Sequence, residues 1–234
     1  MILLTPPPLT EVLRADTTNV ETAVASLLEF YNPASDARFN YLRSVKTVRV
    51  AYQGLHRIDQ LLAAPASVQA KVGFKPNQDV ISIVCPLAFG RTTQVFDLGG
   101  RKFPFGRDRF ASYRIPFFFT EGGVVKLYFL QYRKGFFLPR NVYEGMMLVH
   151  KKYLLEQEFY GDKYDVEYVD CSADEDSGLR VLKTYSSSNL QPWTDERLQD
   201  QLEIVAAAMD AIEARALKVK RVRPLRDSAL PLFD

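Results

Sequence analysis

The stretch Tyr113-Arg114-Ile115-Pro116-Phe117-Phe118-Phe119-Thr120-Glu121-Gly122-Gly123-Val124-Val125-Lys126-Leu127-Tyr128-Phe129-Leu130-Gln131-Tyr132 decides the fold. Aromatic and β-branched runs flank Thr120-Glu121-Gly122-Gly123, and paired glycines between two such runs mark a tight hairpin. The stretch predicts antiparallel strands over 113–119 and 124–132. A sheet therefore forms the centre of the molecule.

Outward from this hairpin, 80–84 and 94–98 read as earlier strands. After Pro139 a helix is expected over 142–160, with Met146, Val149 and Tyr153 facing inward. Two further strands, 165–171 and 179–185, are joined by the acidic turn Asp174-Glu175-Asp176-Ser177-Gly178. Nearer the N-terminus, Val20, Val24, Leu27, Leu28 and Tyr31 share one helical face, which Asn32-Pro33 ends. Between 35 and 64 the flanks favour one long helix, closed by Pro65, although Val45, Val48 and Val50 also suit a strand. Beyond the polar Ser186-Ser187-Ser188-Asn189, Thr194 is placed to cap a long helix with Asp195 and Glu196 in its first turn. Within that helix Leu198, Leu202, Val205, Met209, Ile212 and Ala216 alternate steps of four and three. The spacing suits a helix packed on its own domain and also a homodimer seam.

The expected fold class is α+β: N-terminal helices over 1–65, a central, mostly antiparallel core over 66–190, a long C-terminal helix over 191–218, and a basic tether with a flexible tail over 219–234. The composition, 47% hydrophobic and 25% charged, is that of a globular chain. No apolar run reaches bilayer-spanning length and the first residues lack a signal-peptide pattern, so a cytoplasmic protein with no membrane partner is expected. Cys85 and Cys171 sit in apolar settings without further Cys or His at ligand spacing. They are expected to be buried thiols, and no metal or cofactor is called for.

The overall charge of +2 hides a strong asymmetry. Residues 66–140 carry 12 Lys/Arg against 4 Asp/Glu, whereas 141–213 carry 6 against 16. Within the basic stretch, Arg101-Lys102-Phe103-Pro104-Phe105-Gly106-Arg107-Asp108-Arg109-Phe110 interleaves cations with aromatics. That composition attracts phosphates and offers faces on which bases stack. The candidate nucleic-acid-binding residues are Arg91, Arg101, Lys102, Phe103, Phe105, Arg107, Arg109, Arg133 and Lys134. The competing reading is that these cations neutralise the acidic segment of the same fold while the phenylalanines enter the core.

The expected order of helix, three strands, helix and two strands over about 94–185 resembles the restriction-endonuclease-like core of PD-(D/E)xK nucleases. That resemblance implies a divalent metal held by an Asp after Pro and by an acidic-x-Lys triplet on the next strand. The matching positions here are Pro116-Phe117 and Gln131-Tyr132-Arg133, which lack the ligands. A metal-dependent nuclease would have to recruit Asp97, Asp108, Glu121 or Glu144 instead. The tail Ala229-Leu230-Pro231-Leu232-Phe233 resembles the peptide by which bacterial replication and repair proteins dock on the sliding clamp, with Leu230, Leu232 and Phe233 at the apolar anchors and Ala229 where that peptide has Gln.

Together these readings favour a non-enzymatic bacterial protein acting at DNA or RNA and docking on the replication clamp. Its role would be a repair or recombination accessory or a replication-blocking toxin. The alternatives are the nuclease with a rearranged site and a dimeric interaction module built on the Leu198–Ala216 seam. No phosphate-binding loop or nucleophile–histidine arrangement is evident.

Overall fold

The structure, a computed structural model, describes residues 4–33, 40–63, 73–174 and 176–220. In chain order the helices and strands are α1 (Leu9–Arg14), α2 (Val20–Tyr31), α3 (Leu42–Tyr52), α4 (Ile58–Ala63), α5 (Phe74–Val84), β1 (Gln94–Phe96), β2 (Gly100–Phe105), β3 (Arg109–Arg114), β4 (Phe117–Glu121), β5 (Val124–Gln131), α6 (Arg140–His150), α7 (Glu156–Glu158), β6 (Lys163–Asp170), β7 (Lys183–Tyr185) and α8 (Asp195–Ala214). The class is α+β.

Contacts group the chain differently from its order in sequence. One compact unit gathers the described residues of 1–36, 102–113 and 195–234, and the other those of 37–101 and 114–194. In the first unit α8 packs against α2 and α1. The expected dimer residues Leu198, Val205, Met209 and Ile212 are its buried face and Leu202 is half-buried, so the heptad-like seam is spent inside the unit. A helix lying on one neighbour needs the same three-and-four spacing as a coiled coil. Gln201 ends α1: its amide donates to the Val12 and Ala15 carbonyls at 2.8 and 3.0 Å and accepts from Thr17 at 2.6 Å. At the start of α2, Asn19 and Thr22 form a reciprocal capping box.

The second unit is organised by the 113–132 hairpin. Gly122 and Gly123, at φ 57° and 75°, form its two-residue turn, the left-handed geometry that matches strand twist. Register follows, with Phe117 opposite Tyr128 and Glu121 opposite Val124. The sheet order is β1-β4-β5-β6-β7, in which only β5 and β6 run parallel, joined by the α6–α7 crossover. One face (Phe117, Phe119, Tyr128, Leu130, Val169) packs against Tyr52 of α3 and Val80, Ile81 and Val84 of α5. On the other face Tyr143 and His150 of α6 meet Tyr168 of β6.

Several expectations need correction. The run 80–84 is the end of α5, because Val80, Ile81 and Val84 occupy one helical face that is fully buried; a short apolar run cannot by itself distinguish helix from strand. The single helix expected between 35 and 64 ends at Tyr52 and resumes at Ile58, with Gly54 at φ 70° in the break. The strand expected over 113–119 is divided at Ile115-Pro116, where β3 ends and β4 begins. The helix after Pro139 passes through a π-helical turn, Lys151–Leu155. Among the described residues, no helix is long and apolar enough to cross a membrane.

Candidate nucleic-acid interface

Residues 101–110 lie in the β2–β3 hairpin. Alternation along β2 turns Phe103 and Phe105 inward, leaving them 3% and 4% exposed, so neither offers a ring to a base. Gly106 closes the turn at φ 59°, and a Cβ there would lie 2.8 Å from the Ala206 Cβ. Arg109 is held by Asp210 at 2.7 Å and Glu213 at 3.2 Å within the same unit. In the second unit, Arg101 pairs with Glu158 at 2.7 Å. Lys102 and Arg107 remain exposed. Arg101 and Arg109, with Arg91 below, thus follow the competing reading, in which cations answer acids of their own fold.

Arg91 and Glu121, placed by sequence in two different candidate sets, are in direct contact. The Arg91 guanidinium donates to Glu121 at 2.8 and 2.7 Å and to Glu167 at 3.0 and 2.8 Å. Lys126 donates to Glu121 at 2.8 Å, and the Tyr52 hydroxyl donates to Glu167. The guanidinium also lies 5.1 and 5.0 Å from the ring centroids of Tyr52 and Phe119. Arg91, reinforced by Lys126, holds the Glu121 carboxyl down at about 2, while burial and the neighbouring Glu167 push the Tyr52 phenol up. A shallow cleft of about 240 Å³ opens beside this cluster, lined in part by Lys126, Asp165, Thr184 and Asn189. Glu121 stays a fixed anion near neutral pH and is unsuited to proton transfer there.

The carboxylates nominated for a nuclease are not gathered into one site. Asp97 pairs with Arg49 at 2.8 Å, Glu144 with Arg140 at 3.3 Å, Glu121 with Arg91, and Asp108 stands in the β2–β3 turn. Among the described residues no group of three or more His, Cys, Asp or Glu is arranged to hold a metal. His150 is buried beside the Tyr168 hydroxyl at 2.6 Å, and desolvation lowers its pKa to about 3. Cys85 and Cys171 are buried free thiols, both pushed by burial up to about 12.

Arg133 and Lys134 differ from the other nominated cations. They stand exposed in the loop after β5, and among the described residues neither makes an ion pair. Gln131, at the position where the nuclease resemblance looked for a carboxylate, shapes this loop: its amide donates to the Phe136 carbonyl at 2.6 Å and accepts from the Arg133 N–H at 3.0 Å. Arg180 donates to the carbonyls of Tyr132 and Cys171, and Ala173 N–H donates to the Lys134 carbonyl at 2.9 Å. The loop is thereby tied to the segment following the parallel neighbour β6.

No family model, curated protein or solved structure matches this chain. The candidate site therefore rests on its own geometry. The Arg133 guanidinium lies 5.5 Å from the Phe136 ring centroid, and Lys183 Nζ lies 5.4 Å from that of Phe137. Phe137, Leu179, Val181 and Leu182 are all exposed apolar side chains on this segment pair. Sequence reasoning missed Phe136, Phe137 and Lys183, although Arg133-Lys134-Gly135-Phe136-Phe137 repeats the composition that drew attention to 101–110. The anchors Leu230, Leu232 and Phe233 lie outside the described residues.

Proposed function

We propose that the protein binds nucleic acid through the loop 133–137, with Arg133, Lys134 and Lys183 meeting phosphates. The observation that carries this reading is an anchored loop whose Arg133 and Lys134 are exposed and make no ion pair among the described residues, beside exposed aromatic and apolar side chains. Backbone anchoring favours binding because little conformational freedom is lost on association. The ends of the parallel strands β5 and β6 supply the position, since the loops leaving parallel strands converge at one sheet edge. Docking on a replication clamp through Leu230, Leu232 and Phe233 joins the proposal from the sequence pattern. Such docking suits a repair accessory and a replication blocker alike.

The test is fluorescence polarisation with labelled DNA of both strandedness types. The expected result is binding that weakens with salt and falls at least about tenfold in the Arg133→Ala/Lys134→Ala double variant, equivalent to about 1.4 kcal/mol. Equal binding by the double variant overturns the assignment to this loop. A chain ending at Arg226 is expected to lose clamp binding while keeping DNA binding; retained clamp binding removes the tail from the proposal.

A further inference from the structure

The exposed Phe137 ring gives the proposed interface a preference that cations alone would not. Phosphates are available on paired and unpaired strands alike, whereas a base face is open to an intruding ring only where the base is unstacked. Phe137 is 39% exposed, although its neighbour Leu138 is buried and Phe136 only half-exposed. The ring is not displayed by a loosely held chain. Gln131 fixes the Phe136 carbonyl on one side of it, and on the other Pro139 leads into α6, whose Val142 N–H donates to the Pro139 carbonyl at 3.0 Å.

The cations are placed to serve that ring. Lys183 Nζ stands over one face of the ring, 5.4 Å from its centroid, so a base would take the opposite face, and Arg133 and Lys134 lie three to four residues earlier on the same loop. Asp174 bears on Lys183 and accepts from the Ser177 N–H and hydroxyl, both at 3.0 Å, which hold its pKa below the ordinary value, while Asp170, opposite Lys183 in the β6–β7 register, is buried and accepts from Tyr143 at 2.8 Å and from the Ser172 N–H at 2.7 Å. Val181 and Leu182, both exposed, extend the apolar surface beside Lys183.

We infer that this surface selects single-stranded nucleic acid, with an unpaired base stacking on Phe137 while Arg133, Lys134 and Lys183 follow the flanking phosphates. The inference rests on the nucleic-acid reading above. Alanine at a base-stacking aromatic costs about 5- to 150-fold in affinity per base. The loss should appear on the single strand alone.

The experiment measures binding of a labelled twelve-residue oligothymidine, and of a duplex of the same length, to the full chain and to Phe137→Ala and Phe137→Tyr. The expected result is tighter binding of the single strand by the native chain, a loss of about 5- to 150-fold on that strand in Phe137→Ala, an unchanged duplex affinity, and recovery in Phe137→Tyr. If Phe137→Ala binds oligothymidine as the native chain does, or if the duplex binds as tightly as the single strand, the stacking inference falls while the loop assignment stands. If the native chain binds neither strand, the nucleic-acid reading falls with it. If Phe137→Tyr is as impaired as Phe137→Ala, the effect belongs to loop packing and the inference is overturned.

Discussion

Arg91 shows how one side chain can decide the character of a region. Its guanidinium neutralises two glutamates from different strands, and Glu121 consequently keeps a pKa of about 2 against an ordinary 4.5. The folded state binds protons less readily than the unfolded state at this group. Its contribution to stability is full above pH 4.5 and is lost as the pH falls toward 2. Urea midpoints measured from pH 5 to 2 should therefore drop in the native chain, and Arg91→Gln should flatten that drop. The same variant should be less stable at pH 7 by roughly 2–3 kcal/mol, less than for fully buried pairs because all three side chains keep some solvent contact. A second residue-scale prediction concerns Gln131, whose buried amide holds both ends of the loop. Gln131→Ala should cost about 1–3 kcal/mol in urea unfolding by leaving polar backbone groups unmatched, and should weaken oligothymidine binding because the loop loses its fixed shape. None of the Arg91 partnership was legible in the sequence. Arg91 and Glu167 are 76 positions apart and meet only because β6 lies parallel to β5 in one register.

At the scale of elements, the hairpin was legible because its turn chemistry and strand pattern agree. Gly123 at φ 75° has open space around it, so a side chain there meets backbone strain and no steric clash. Gly123→Val should cost about 1–2 kcal/mol, the usual penalty for a left-handed L-residue, measured as a fall in urea midpoint. The strands at 101–110 were less legible for a complementary reason. The alternation of Lys102, Phe103, Pro104 and Phe105 is that of a half-buried strand, but it spans only a few residues inside a cluster of cations. In α5, Pro76 falls within the first turn, where a missing N–H costs little, so the proline did not exclude a helix. The second basic-aromatic run, 133–137, was visible in part: Arg133 and Lys134 were named, while exposure of Phe137 depended on how Gln131 bends the chain.

For the whole molecule, the charge asymmetry that opened toward a polyanion is answered in part within each unit, by Arg91–Glu167, Arg101–Glu158 and Arg140–Glu144 in one and by Arg109–Glu213 in the other. The proposed interface then involves fewer cations than composition suggested. If Arg133, Lys134 and Lys183 each neutralise one phosphate, log K for oligothymidine should fall against log salt with a slope of about −2. Engagement of all seven cations nominated from the sequence would instead give about −5. A titration series from low to high salt separates the two.

The wiring of the first unit also bears on how the protein is made. Gln201 closes α1 by reaching the Val12 carbonyl, 189 positions earlier in the chain. On a ribosome adding about 5–20 residues per second, α1 and α2 emerge roughly ten to forty seconds before their partner helix exists. Through that interval Leu9, Val12, Leu13, Val24 and Leu27 have no α8 to cover them. The nascent chain must carry this uncovered apolar surface until α8 has been synthesised, so the first unit cannot be completed before that helix appears.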